Sequence, residues 1–163
     1  VPALSDGGQL TIPEATPKTL IEALLETSTR HPKKGIIYIL SNGEEVYQTY
    51  GSLLQEAKCI LNGLHYQGLE AGDRIILQIE SLRDYFPALW GCILGGIQPV
   101  TVAVAGTYQE KNAVVKKLYD TWKLLEYPPI LANESLIEPL QNLRNLFPIS
   151  GWQVILLDRK SVV

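Results

Sequence analysis

The sequence predicts an α/β fold: an open, mostly parallel sheet with helices on both faces, together with an N-terminal β-hairpin. Three observations predict it. Apolar, strand-like runs alternate with amphipathic helical segments along the chain. The run at residues 74–79 is almost continuously apolar, as in strands that are covered on both faces. Asn42-Gly43 separates two β-prone runs, which is typical of a hairpin.

Residues 1–18 are expected to form a loosely held lead-in, with order beginning near Thr19. The lead-in contains three prolines and two glycines without an apolar period. Thr19 followed by Glu22 has the pattern of a capping box and predicts a helix that runs to Arg30. His31 precedes a proline, which disfavours further helix, so we expect the helix to end there.

A hairpin and a long helix are predicted next. Residues 36–40 and 45–50 are β-prone, and the Asn-Gly pair between them is a strong turn signal because both residue types tolerate a positive φ. From residue 52 to residue 67, apolar side chains recur at steps of three and four positions. This spacing predicts an amphipathic helix that Gly68 ends.

The rest of the chain alternates strand and helix. We expect strand 74–79 and then helix 81–94, in which Pro87 either causes a kink or marks the start of the regular part. Gly95-Gly96 ends that helix. The remaining elements are predicted as a strand at 98–105, a helix at 110–125, a strand at 129–132, a short helix near 137–146 and a strand at 153–157.

The composition of the 163 residues is that of one compact domain, because 46% are hydrophobic and 19% are charged. Fourteen Lys and Arg against 17 Asp and Glu give a net charge of −3 without a basic stripe, which argues against a nucleic-acid partner. There is no apolar stretch of 18 residues and no signal peptide at the start, so we expect a cytoplasmic protein without a membrane partner. The absence of methionine suggests a piece of a longer protein.

Residues that could carry catalysis are scarce. Cys59, Cys92, His31 and His65 are too few for a disulfide framework and are not spaced as a zinc site. We interpret both cysteines as buried core thiols, His31 as a solvated helix-end residue and His65 as a half-exposed neighbour of an apolar stripe. The sequence also lacks the G-x-S-x-G elbow of a serine nucleophile.

No phosphate-binding loop is present either. Neither G-x-G-x-x-G nor G-x-x-x-x-G-K-[ST] occurs. Gly91, Gly95 and Gly96 lie at the end of a predicted helix rather than at its start, which favours a role in packing and capping. Asp158 follows the last predicted strand, where an acidic residue can contact a ribose, but a solvated strand end is the better interpretation without the glycine pattern.

Two surface patterns remain. One is a set of lysines that we interpret as a solvated helix face, with the border of a phosphate-bearing partner as the alternative: Lys111, Lys116, Lys117 and Lys123. The other is Asn133-Glu134-Ser135, which matches a glycosylation sequon but has no meaning without a secretory signal.

An ordered set of short motifs carries more information than any single residue. The set comprises Thr19-Leu20, Pro32, Thr49-Tyr50 with Leu53, Ala57 and Leu64, the GLEAGDR run from Gly68 to Arg74, and the WGCILGG run from Trp90 to Gly96. In this order and spacing the set resembles the beginning of the adenylate-forming superfamily, over about Thr19 to Val102. The members that it looks most like are adenylation domains of non-ribosomal peptide and polyketide synthases, including fatty acyl-AMP ligases and related loading domains.

The sequence departs from that family pattern at three places. Ser52 stands where an acidic residue usually follows Thr-Tyr, and Thr101 stands where a proline normally follows the strand. Residues 103–119 lack the usual proline-rich continuation. These departures favour an acyl- or aryl-acid loading domain over an ordinary amino-acid-activating domain.

The resemblance implies that residues 19–163 are the N-terminal subdomain of an adenylation domain, with part of its fold. A complete member uses ATP and magnesium to convert a carboxylic or amino acid into an acyl-AMP. It then transfers the acyl group to the phosphopantetheine thiol of a carrier protein. The family's phosphate loop, its residues around adenine, ribose and magnesium, and its mobile C-terminal lysine all lie downstream of this chain. The resemblance therefore assigns no catalytic, cofactor-binding or metal-binding residue to it.

We accordingly expect a fragment that is inactive by itself, because adenylyl transfer needs positioned cations and hydrogen-bond donors. Its expected partners are the remainder of the adenylation domain and the carrier domain, and exposed apolar surface would favour a homodimer. The alternative is a non-catalytic, adenylation-like remnant that acts as a spacer or docking module in a megasynthase. A free-standing dinucleotide-binding protein is disfavoured by the missing glycine pattern.

Overall fold

The computed structural model describes residues 6–9 and 12–157. Its helices are α1 (Leu20–Arg30), α2 (Tyr50–Tyr66), α3 (Leu82–Leu94), α4 (Ala113–Leu124) and α5 (Glu134–Asn142), the last followed by a 3₁₀ turn at Leu143–Asn145. The strands are β1 (Gly35–Ile39), β2 (Glu45–Thr49), β3 (Arg74–Gln78), β4 (Gln98–Thr101), β5 (Ile130–Ala132) and β6 (Val154–Leu156). None of the helices in this part of the chain is long and apolar enough to span a bilayer.

The first helix begins where the sequence predicts, with a small change in its cap. The Thr19 side chain accepts a hydrogen bond from the Glu22 amide at 3.1 Å, as an N-cap should. The Glu22 carboxylate, however, accepts from the amide of Lys18 at 2.6 Å rather than from that of Thr19. The reciprocal bond of a capping box is therefore displaced by one residue.

The hairpin of β1 and β2 is confirmed, but its turn differs from the expected Asn-Gly turn. The Leu40 amide donates to the Glu44 carbonyl at 2.8 Å, and the Gly43 amide donates to the Leu40 carbonyl at 2.9 Å. These bonds close a three-residue loop in which Gly43 has a φ of 82° while Asn42 stays at negative φ. This loop needs a left-handed residue only at its last position.

The main sheet confirms the predicted architecture. Its strand order is β4-β3-β5-β6, and all of its pairs are parallel. Ile75 and Leu77 of β3 pack in a core with residues of α2 and α3, whereas Ile76 packs in a second core with residues of α4 and α5. Alternate side chains of one strand thus enter cores on opposite faces, which explains why three consecutive residues of β3, 75 to 77, are apolar.

Several predicted boundaries were wrong because tertiary contacts override local propensity. The strand predicted at 98–105 ends at Thr101, where its register with Leu77 of β3 also ends. The helix predicted from residue 110 begins at Ala113, because the Asn112 side chain caps the amide of Val115 at 2.9 Å. The helix predicted near 137–146 instead spans Glu134–Asn142.

Helices α2 and α3 approach each other closely at Gly91. A Cβ at this position would lie 2.9 Å from the Ala57 carbonyl oxygen and 3.3 Å from Cγ2 of Ile60. This contact confirms a packing role for Gly91. Pro87 is buried inside α3 and does not mark the start of that helix, which begins five residues earlier, at Leu82.

The two cysteines differ in their surroundings. Cys92 is fully buried under α2, and burial raises the pKa of its thiol to about 12, which keeps it protonated and unreactive. Cys59 is only partly buried, so the prediction of two buried thiols was wrong for this residue. It lies on α2 one residue away from the buried Ile60.

We predict opposite effects for alanine at two helical glycines. Gly91→Ala should lower the free energy of unfolding by about 1–3 kcal/mol, because the added methyl group overpacks the α2–α3 contact. Gly63→Ala is the matched control: no atom lies within 4 Å of its added Cβ, so the higher helix propensity of alanine should raise that free energy by about 0.5–1 kcal/mol. Urea unfolding measures both, and equal effects of the two substitutions would contradict the close approach.

A second prediction concerns the turn after α4. Glu126 and Tyr127 both have positive φ, 64° and 68°, which costs a non-glycine residue free energy. Glu126→Gly should therefore raise the free energy of unfolding by about 0.5–1 kcal/mol, since glycine adopts this conformation without strain. Glu126→Ala keeps the strain and should bring no such gain, so a similar gain from alanine in urea unfolding would refute this account.

Candidate functional site

The carboxyl ends of β3 and β5 form the candidate site. From β3 the chain passes to β4 on one side of β3, and it then returns through α4 to β5 on the other side. The winding direction therefore reverses between β3 and β5. In open α/β sheets, ligands bind in the crevice at such a reversal. The residues that directly follow β3 and β5 are therefore candidates for ligand binding.

Asn133 joins the two sides of this crevice. Its side-chain oxygen accepts a hydrogen bond from the Glu80 amide at 3.0 Å, and its side-chain nitrogen donates to a carboxylate oxygen of Asp84 at 2.9 Å. The Ser135 hydroxyl donates to the Glu80 carboxylate at 3.2 Å. Asn133 occupies the N-cap position of α5 but makes no capping bond with its side chain. Its side-chain amide instead joins the segment after β3 to the segment after β5.

A buried network holds the loop that follows β4. Gln78, the last residue of β3, is fully buried, and its side-chain nitrogen donates to the Val102 carbonyl at 2.7 Å. Its side-chain oxygen accepts from the Tyr108 hydroxyl at 2.6 Å, and that hydroxyl accepts from the Ala105 amide at 3.2 Å. One glutamine thereby anchors both ends of the segment from Val102 to Tyr108.

The ionisation of Tyr108 suits this structural role. Burial raises the pKa of its phenol, the hydrogen bond from the Ala105 amide lowers it to a smaller extent, and the charge of Glu80 raises it slightly further. The hydroxyl therefore stays protonated at neutral pH and remains the donor to Gln78. A deprotonated, base-like tyrosine is disfavoured at this position.

A cavity of about 410 Å³ lies between the loop at residues 105–109 and helix α5. Its lining combines the carboxylates of Glu80 and Glu138, the amides of Gln109 and Asn142, and the apolar side chain of Leu136. Such a lining can accept hydrogen bonds and bind a small polar group. It provides neither a nucleophile paired with a base nor a cation for a phosphate.

The described residues were also compared with the two kinds of site that the family resemblance implies elsewhere, a metal cluster and a phosphate loop. No group of three or more His, Cys, Asp or Glu side chains in that part of the chain is placed to hold a metal ion. The glycines at 95 and 96 follow the C-terminus of α3, and Gly96 has a φ of 67°, as expected of a cap rather than a phosphate loop.

The structure places the two histidines apart from the crevice. His31 is exposed at the end of α1, as predicted. His65 is in the exposed class, and its Nε2 would lie 3.5 Å from a Cβ built at Gly95. Asp158 lies outside the described residues.

The lysines form an exposed face, with aromatic rings beneath two of them. Lys116 forms an ion pair with Asp120 one helical turn away. Lys111 lies 5.1 Å from the ring centre of Phe147, and Lys123 lies 5.5 Å from that of Tyr119. The rings of Phe147 and Tyr119 stack on each other at 4.3 Å. These contacts favour the solvated face over a phosphate-binding border.

The sequence interpretation gave no site role to the residues that form the candidate site, among them Gln78, Tyr108 and Asn133. The signal for Gln78 was a polar residue at the end of an apolar buried strand, where a side-chain amide must find partners. Asn133 directly follows a strand, but the sequence does not show which strand lies beside it. No pattern pointed to Tyr108.

We predict that Tyr108→Phe lowers the free energy of unfolding by about 1–3 kcal/mol, because it leaves the buried Gln78 oxygen and the Ala105 amide without a partner. Tyr85→Phe is the matched control. Its hydroxyl bonds to Thr101 at 2.8 Å in an exposed position, so its loss should cost less than about 1 kcal/mol. Urea unfolding measures both variants, and an equal cost would show that the network does not hold the loop.

Comparison with known proteins gives relatives among solved structures, although no family model matches the chain. McyG A-PCP, solved in complex with phenylalanyl-adenylate, is 43% identical, with a TM-score of 0.82 over 88% of this chain and 23% of that chain. A multidomain structure of a keto acid-selecting non-ribosomal peptide synthetase module is 40% identical, with a TM-score of 0.85 over 96% of this chain and 13% of that chain.

A more distant structure shares the fold. The fatty acid AMP ligase from Legionella pneumophila has a TM-score of 0.71 at 21% identity, over 84% of this chain and 23% of that chain. The chain thus spans less than a quarter of the length of each of these relatives. In both fold and sequence, most of this chain is similar to one part of the adenylation domains of non-ribosomal peptide synthetases.

Proposed function

We propose that the chain is the N-terminal subdomain of an adenylation domain, with residues 1–18 as a lead-in and residues 19–163 as the subdomain itself. The observation that carries this proposal is the 43% identity and TM-score of 0.82 to McyG A-PCP over 88% of the chain. Similarity at this level over most of the chain favours a shared role in the complete protein. In this proposal that protein is an ATP-dependent ligase.

The proposed reaction has two steps. A carboxylate oxygen of the acid attacks the α-phosphorus of ATP, pyrophosphate leaves, and an acyl-AMP forms. The thiol of a carrier-protein phosphopantetheine then attacks the acyl carbon, gives up its proton, and displaces AMP. Both steps build negative charge that has to be stabilised by fixed cations and hydrogen-bond donors.

The role proposed for this chain is structural support rather than chemistry. Its described residues hold no group fitted for magnesium, and its sequence lacks a phosphate loop. We therefore assign the ATP and magnesium sites to the remainder of the ligase, and we expect the chain to be inactive alone. The crevice at Glu80 and Asn133 would form one wall against which that remainder packs.

The acid is proposed to be an aryl or keto acid rather than a common amino acid. Ser52, Thr101 and residues 103–119 depart from the pattern of amino-acid-activating domains. One relative at 40% identity comes from a keto acid-selecting module, which supports a keto acid. McyG A-PCP was solved with phenylalanyl-adenylate, which makes phenylalanine the alternative. A panel of aryl acids, 2-keto acids and phenylalanine tests this range.

ATP–pyrophosphate exchange tests the proposal. The chain alone should give no exchange with any acid of the panel, because it lacks the charges that stabilise the transition state. A chimaera in which the chain replaces the matched part of McyG A-PCP should exchange pyrophosphate, with intact McyG A-PCP as the control. Exchange by the chain alone would disprove its inactivity. A chimaera that folds but gives no exchange would refute the proposed ligase function and support a non-catalytic module.

A further inference from the structure

A groove of about 480 Å³ lies at the end of the main sheet where its parallel strands begin. Its lining includes Asp73 and Arg74 at the start of β3, Pro128 and Pro129 before β5, and Glu126 in the turn after α4. The candidate crevice lies at the carboxyl ends of β3 and β5, which is the opposite end of the sheet. The groove is therefore separate from the site described above.

Two opposite charges line this groove. The Arg74 guanidinium donates to the Leu125 carbonyl at 3.5 Å, which is a long hydrogen bond, and Glu126 directly follows Leu125. Among the residues that the structure describes, neither Arg74 nor Glu126 takes part in an ion pair. Both residues are exposed. The groove thus presents a guanidinium and a carboxylate that can each pair with a charge on another molecule.

A buried tryptophan holds the turn that carries Glu126. The Tyr127 amide donates to the Trp122 carbonyl at 2.9 Å, and Nε1 of Trp122 donates to the Pro128 carbonyl at 3.1 Å. The rings of Tyr127 and Trp122 meet edge to face, with their centres 4.8 Å apart. The backbone at Glu126 is therefore fixed before any partner binds, which lowers the entropy cost of pairing.

Exposed apolar side chains flank the groove. Tyr66, Leu124 and Tyr127 are 84%, 80% and 57% exposed. Each of them is the immediate chain neighbour of a residue that lines the groove. Tyrosine and arginine are enriched in protein interfaces, where apolar neighbours keep water away from the charged contacts. This combination is typical of a surface that another protein chain covers.

We propose that a second copy of this chain covers the groove in a two-fold symmetric dimer, in which Arg74 pairs with Glu126 of the partner subunit. A two-fold contact brings the same patch of both copies together, so the patch has to be complementary to itself. One unpaired guanidinium and one unpaired carboxylate in each copy, counted among the described residues, meet this requirement. The symmetry produces two ion pairs, and the exposed Tyr66, Leu124 and Tyr127 flank them.

Charge complementarity favours a second copy over another class of partner. A strongly acidic partner would be repelled by Glu126 and Asp73, and a strongly basic partner would be repelled by Arg74. A second copy carries both signs. The net charge of −3 is too small for strong repulsion between two copies. The proposal goes beyond the proposed ligase function and does not depend on it.

Sedimentation equilibrium of the chain tests the dimer. The average mass should rise from that of the monomer toward that of the dimer as the protein concentration increases. Arg74→Glu and Glu126→Arg should each weaken the association at least about tenfold, because both ion pairs become like-charge contacts. The double variant Arg74→Glu/Glu126→Arg restores opposite charges across the contact and should recover the dimer.

Lys117→Glu is the matched control. It makes the same charge change as Arg74→Glu at an exposed position of α4, so the association should stay unchanged. A monomer at every concentration would leave the groove to a different partner and overturn the proposal. Single variants that associate as strongly as Lys117→Glu, or a double variant that associates no better than the single ones, would overturn it as well.

NMR of the unsubstituted chain gives a second test that needs no variant to fold. On dilution, the amide signals of Tyr66, Leu124 and Tyr127 should shift as the dimer dissociates, whereas those of Ile37 and Ile39 on the hairpin should not. Shifts around the groove alone support the proposal. Shifts at the hairpin without shifts around the groove would place the contact on a different surface and overturn it, as would the absence of any shift.

Discussion

Burial of β3 between two helical layers is the constraint on which the rest of the structure depends. Ile75, Ile76 and Leu77 are almost completely excluded from solvent, and β3 is paired on both edges, with β4 and with β5. Its buried polar residue is Gln78, whose side-chain amide has to find partners. It finds them in the loop after β4, including the Tyr108 hydroxyl, so the position of that loop follows from the burial of the strand.

The same arrangement produces the candidate site. Because β4 and β5 lie on opposite sides of β3, the segments after β3 and β5 meet at one end of the sheet, where Asn133 ties Glu80 and Asp84 together. The result is a well-defined wall with carboxylates and amides but without a metal-binding group in the described part of the chain. This wall is the feature on which the proposed supporting role of the chain rests.

The hairpin contrasts with the main sheet. The parallel strands are covered by helices on both faces. Within the described residues, the hairpin packs through its inner face and leaves Ile37 and Ile39 exposed. Single exposed apolar side chains are ordinary, and here Ile37 and Ile39 adjoin a groove between β1 and the start of α3. The two sheets therefore differ in how complete they are within this chain, which agrees with its match to a small part of much longer relatives.

The sequence by itself determined the order and type of the elements, because apolar periodicity, caps such as Thr19 and turn glycines such as Gly43 act within a few residues. It also carried the family resemblance, through ordered motifs rather than through any reactive group. Only the tertiary structure decided the strand order, the ends of β4 and α4, and the members of the candidate site. Gln78 and Tyr108 are 30 residues apart, and Glu80 and Asn133 are 53 apart. No local pattern encodes such pairs, since they meet only after the helices have packed and brought the strand ends together.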